Sequence, residues 1–138
     1  MKRFISSVLV LGVCLTPLTV PVMVQPSWGQ SQDSHIQKIR QLIQQAKQQE
    51  RQGQRQQAIE TWQQIIVIVR QFKIREIEVL AVNQIGFNYQ SISQLQEALK
   101  YYNQALPIWR EVGDRPGEAT TLNNIGGVYN SIDRKSVV

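Results

Sequence analysis

The chain has 138 residues, with 15 Lys and Arg against 10 Asp and Glu, a single histidine and a single cysteine. That length allows one domain with a modest core. Lys and Arg form no block interleaved with aromatics, so nucleic-acid binding is not expected, and one cysteine excludes a disulfide within the chain.

The first 29 residues differ from the rest. Lys2 and Arg3 precede an uncharged run from Phe4 to Val24, followed by Gln25-Pro26-Ser27-Trp28-Gly29. A basic start, an apolar stretch and small residues at Ser27 and Gly29 describe an export signal cleaved after about Gly29, which directs the chain to the periplasm or exterior. The run is also about as long as a bilayer is thick, so residues 4–24 as an uncleaved membrane anchor is the alternative. Pro17 and Pro21 weaken a helix there. With the signal removed the charge falls to 13 basic against 10 acidic residues and Cys14 is lost. Residues 30–34 then read as a short linker.

Five helices follow. Residues 30 to 64 are rich in glutamine, but Ile36, Ile39, Ile43 and Ala46 are spaced as one helical face. Ser34-His35-Ile36-Gln37 has the form of a capping box at the start, and Gly53 is a stop. The second helix runs from Arg55 to about Phe72 with Ala58, Trp62, Ile65, Val69 and Phe72 inward. The third spans about Arg75 to Ser91 with Val79, Val82, Ile85, Gly86 and Tyr89 inward. Ser93-Gln94-Leu95-Gln96 reads as a capping box for the fourth, which carries Ala98, Tyr102, Ala105, Ile108 and Val112 and holds Pro107 in its interior. Asp114 caps the fifth, from Arg115 to about Ile132, with Pro116 in its first turn.

These helices repeat with a period of 40. Ala81 to Tyr89 aligns without a gap on Thr121 to Tyr129, setting Gly86 on Gly126; Ala58, Trp62, Arg70 and Arg75 align on Ala98, Tyr102, Arg110 and Arg115. A period in this range signals stacked supersecondary units. Ala46, Gly86 and Gly126 fall where first helices meet a neighbour closely, with Ala58 and Ala98 opposite. The units are 35–74, 75–114 and a partial one over 115–132, with 133–138 as a tail outside the pattern.

Gly86 with Tyr89, then Ala98, Tyr102 and Ala105, resembles the small-aromatic-small signature of the tetratricopeptide repeat. The 40-residue period is similar to kinesin light chain-type repeats, and Tyr101 to Gly126 resembles exported cyanobacterial tetratricopeptide proteins, in which such repeats often precede a caspase-like CHAT protease domain. The resemblance implies an all-α fold of antiparallel helical hairpins stacked as a right-handed solenoid of about two and a half repeats. It further implies a non-catalytic scaffold that binds a protein or peptide in its concave groove. The alternative is a truncated recognition module of a larger protease-like protein.

By position in the repeat, the candidate groove residues are Arg40, Gln44, Lys47, Asn83, Gln84, Phe87, Asn123 and Asn124. Asn side chains can pair with both the donor and the acceptor of a peptide backbone, and Asn83 and Asn123 resemble asparagines that kinesin light chain-type repeats use this way. Each could instead bond to the neighbouring helix. No catalytic constellation, cofactor loop or metal-ligand set appears: the acidic residues are dispersed and His35 stands alone. The uncovered fifth helix makes self-association through the incomplete last repeat a further expectation. Membrane contact is expected only through the N-terminal segment.

Overall fold

A computed structural model describes residues 27–137. The export signal and the anchor of residues 4–24 lie largely or wholly outside the described residues. Five helices follow in order: α1 Ser27–Arg51, α2 Arg55–Gln71, α3 Arg75–Ser91, α4 Leu95–Val112 and α5 Arg115–Ser136. Each packs on the next, and α3 also touches α5. The architecture is the all-α stack of helical hairpins expected from the repeat. None of the described helices is long and apolar enough to cross a membrane.

The turns set this geometry. Gly53, Lys73, Ser93 and Gly113 have φ of 76°, 55°, 62° and 75°, and they stand 20 residues apart. After each, a backbone N–H donates five residues back into the helix just ended: Gln54 to Gln49, Ile74 to Val69, Gln94 to Tyr89 and Asp114 to Trp109, at 2.8–3.1 Å. This pairing satisfies helix-end carbonyls and needs a left-handed residue. Ser93 is therefore the residue that closes the α3 end, not a cap for α4. Gln94 stands at that cap and makes no side-chain bond there. Asp114 does cap as expected, its Oδ1 accepting from the Gly117 N–H at 2.9 Å.

Three other sequence expectations are corrected. Residues 30–34 are helix rather than linker, because α1 begins at Ser27 and passes through the Ser34 capping box. Nothing from Gln30 to Asp33 breaks a helix, and a segment anchored by buried Ile39 and Leu42 propagates cheaply in the N-terminal direction. The tail from residue 133 is helical to Ser136. Ile36 is 49% exposed and Phe72 is also exposed, so neither joins the core. Leu42 is buried on α1 while its neighbour Ile43, expected on the stripe, is only partly buried.

The core runs along the stack. Ala46, Ala58, Trp62, Ile65, Val69, Val79, Val82 and Ile85 are fully or almost fully buried in one cluster spanning α1 to α4. A smaller cluster joins Ala98, Leu99 and Tyr102 of α4 to Val128 of α5. Close helix approach has a steric cause at Gly86, where a Cβ would lie 2.8 Å from Tyr102 Cδ1. Gly126, expected to play the same part, is exposed with nothing within 4 Å of a built Cβ.

Candidate functional site

The first helices of the units, α1, α3 and α5, line one face of the stack, and two clefts open there. One is lined by Glu50, Asn83, Gln84, Phe87, Thr120 and Asn124. The other lies between α1 and α3 and is lined by Ile36, Ile39, Arg40, Ile43, Gln44, Ile74 and Ile77. Six of the eight residues proposed from sequence thus line a cleft: Asn83, Gln84, Phe87 and Asn124 in the first, Arg40 and Gln44 in the second. Lys47 and Asn123 are exposed and line neither.

The two clefts differ chemically. The first offers amides, a hydroxyl, a carboxylate and one aromatic face: Phe87 is 43% exposed, with the Arg55 guanidinium 5.7 Å from its ring centroid. Such a set can satisfy backbone N–H and C=O groups of an extended chain while holding one apolar side chain. The second is a row of isoleucines bordered by Arg40 and Gln44, suited to an aliphatic side chain.

Polar relays, half-buried to buried, fix the floor of the groove. Glu50 Oε1 accepts from Trp62 Nε1 at 2.8 Å and from Asn88 Nδ2 at 2.7 Å, and Asn88 Oδ1 accepts from Arg55 at 3.3 Å, tying α1, α2 and α3 together. One unit on, Trp109 Nε1 donates to Thr121 Oγ1 at 2.8 Å, and that hydroxyl donates to Asn83 Oδ1 at 2.9 Å, joining α4, α5 and α3. Asn83 therefore bonds to the neighbouring helix through its oxygen, the structural role left open by the sequence, while still lining the cleft. Tyr102 repeats the Trp62 contact, donating to Gln90 Oε1 at 2.8 Å; burial pushes its hydroxyl pKa up to about 12, so it remains a donor.

Ion pairs recur with the same period on another side of the hairpins. Glu78 on α3 is held by Arg70 and Arg75, and Glu118 on α5 by Arg110 at 2.6 Å and Arg115 at 3.1 Å. These hydrogen bonds, Arg110 foremost, hold the Glu118 carboxyl below its usual range. Sequence reasoning matched the arginines across units but missed their carboxylate partners, although Glu78 and Glu118 are also 40 apart. Glu50 and Asn88 were missed as well. The only signal for Glu50 was its place 12 residues before Trp62, as Gln90 stands before Tyr102.

Among the described residues no group of three His, Cys, Asp or Glu could hold a metal ion. Compared with known families, residues 76–136 match the tetratricopeptide repeat. The match covers α3, α4 and α5, including the helical stretch beyond Ile132. No curated protein matches the chain.

Proposed function

We propose, from the tetratricopeptide repeat of residues 76–136, that the chain is a scaffold that binds an extended peptide or partner protein across α1, α3 and α5. Repeats of this kind are commonly protein-interaction modules and generally non-catalytic. The observation that carries the reading is the cleft in which Asn83, Gln84, Phe87 and Asn124 come together over a floor held by half-buried hydrogen bonds. A preformed floor lowers the ordering cost of binding. Selection of peptides from a random library on the full chain tests it, with Phe87→Ala/Asn124→Ala as the comparison. Loss of the selected peptides by a variant with unchanged circular dichroism supports the groove; equal retention removes it.

The basic start and uncharged run before α1 support an exported scaffold, with residues 4–24 as an anchor in the alternative. Fractionation of cells producing the full chain, with protease added outside, separates these from a cytosolic location. The resemblance to protease-associated repeats leaves a second reading, a recognition module for a larger protease-like protein. Sequencing the gene beyond Val138 tests it: further repeats and a His/Cys pair support it, and their absence in a continuous reading frame counts against it.

A further inference from the structure

The isoleucine cleft between α1 and α3 has no chemical counterpart between α3 and α5, although both lie on one face of the same repeat. Ile36, Ile39, Ile43, Ile74 and Ile77 line it, and its volume is about 240 Å³. One unit on, the equivalent residues are Glu76, Val79, Asn83, Asp114 and Gly117. There a Cβ on Gly117 would stand 2.6 Å from the Trp109 ring, whereas the first unit has Ile77 and Val69 in those two places. The slot is thus a matter of residue choice in the first unit, and both of its walls are present.

Its chemistry narrows what can fill it. Ile39 is a buried floor, and Ile43, Ile74 and Ile77 are partly buried against the core, so an entering apolar side chain loses water on several sides. The β-branched walls are stiff at χ1 and no aromatic ring lines this cleft, which favours an aliphatic side chain over a planar one. Arg40 borders the slot, is exposed and makes no ion pair among the described residues. Lys47 and Arg51 continue the basic row along the same face of α1. Of the nearby acidic residues, Glu50 already accepts from Trp62 and Asn88. Asp33 and Glu76, like Lys38 and Lys73, are exposed and line neither cleft.

We propose that the groove selects peptides in which a leucine, isoleucine or valine stands next to an aspartate or glutamate, the aliphatic side chain entering the isoleucine slot and the carboxylate meeting Arg40. The inference rests on the groove reading above and names the class of peptide it takes. Arg40 is a rim charge, so it selects and steers more than it holds, and the slot supplies the anchor. Ile77 and Gln84 are seven residues apart on α3. That is about 10 Å along the helix axis, and with a similar distance across α3 the slot and the amide cleft stand roughly 14 Å apart, about four residues of extended chain. The backbone beyond the anchor then reaches Asn83, Gln84 and Asn124, whose amides pair with it.

A phage library of random peptides selected on the immobilised full chain, and read by sequencing, tests the inference. Wild-type selections should be enriched in Leu, Ile or Val beside Asp or Glu. Arg40→Glu should exchange the acidic neighbour for Lys or Arg and keep the aliphatic residue. Ile43→Asn, which installs the side chain found one unit on, should remove the aliphatic preference, and Ile36→Glu repeats that test at an exposed position where folding is not at stake. A fluorescein-labelled copy of a selected peptide should lose about tenfold in affinity for the wild type when its aliphatic residue is changed to Asn, and less than about twofold for the Ile43→Asn chain. Wild-type selections without the aliphatic-acidic pair overturn the inference, as does an acidic preference that survives Arg40→Glu. If such peptides are still lost by Phe87→Ala/Asn124→Ala, the groove reading stands and only the peptide class falls. No enrichment on the wild type overturns both.

Discussion

Gly86 and Tyr102 meet so closely that a single carbon added to Gly86 would stand 2.8 Å from two atoms of the ring. Both are buried, and the Tyr102 hydroxyl is fixed by Gln90, so the ring has little freedom to retreat. Gly86→Ala should therefore destabilise the chain by about 1–3 kcal/mol in urea unfolding. Gly126→Ala, at the same place one unit later, should stabilise it by about 0.5–1 kcal/mol in dilute solution, through helix propensity alone. Equal effects at the two sites would refute the steric account.

The ion pair of Arg110 and Glu118 predicts acid sensitivity with a definite sign. The carboxyls of Glu118 and Glu111 are held below their ordinary value of 4.5, chiefly by hydrogen bonds from Arg110 and Arg75 respectively. A depressed carboxyl contributes stability above its unfolded pKa and loses it as pH falls through the folded pKa. Thermal midpoints should thus be flat above about pH 5.5 and fall below about pH 4.5. Glu118→Gln should lower the midpoint at pH 7 and flatten the acid limb, and a limb as steep as the wild type's would exclude Glu118 as a contributor.

Two of the four left-handed turn residues have side chains. For Lys73 and Ser93 that conformation costs roughly 1 kcal/mol, which glycine removes at the expense of a more flexible unfolded chain. Lys73→Gly and Ser93→Gly should each gain about 0.5 kcal/mol, and the gains should add because the sites are well separated. A loss on either substitution, read by thermal unfolding, would show that the side chain has a role its turn geometry does not reveal.

Asn88 offers a charge test of the relay beneath the groove. Its Nδ2 donates to Glu50 Oε1 at 2.7 Å while the residue is fully buried. Asn88→Ala should cost about 2–3 kcal/mol, by leaving a cavity and removing one donor from Glu50. Asn88→Asp puts a second carboxylate against the first, so its penalty should exceed that of alanine at pH 7 and shrink at pH 5 as one of the pair takes up a proton. A penalty that does not change with pH would mean that the two carboxylates move apart.

What could be read from the sequence divides along a physical line. Helix positions, the stacking and the tight crossings at Ala46 and Gly86 follow from spacing, because packing writes a period into one residue type. The ends of helices were less legible. Ser93 has the chemistry of a cap, yet its place in the 20-residue series Gly53, Lys73, Ser93 and Gly113 makes it a turn closer, a relation visible only when a half-period is considered. Exposure of Ile36 was illegible because no earlier helix among the described residues lies beyond α1 to cover it, and periodicity alone cannot tell the first unit from an inner one. At the groove, position in the repeat located six of the residues that line the two clefts. The polar partnerships of Glu50, Asn88 and Thr121 depend on side chains converging from three helices, which no single helical pattern encodes.

The even placing of the turns makes the length of the molecule a modular quantity. Gly53 and Ser93 share one backbone conformation and stand one unit apart, so a second copy of residues 54–93 inserted after Ser93 would meet a familiar junction at both ends. Gln90 would then receive a second Trp62 where it now receives Tyr102, and the duplicated Arg70 would find a Glu78 as before. Genetic recombination between equivalent turns would thus lengthen the scaffold one hairpin at a time, with new side-chain pairs such as Gln90 with Trp62 confined to the junction.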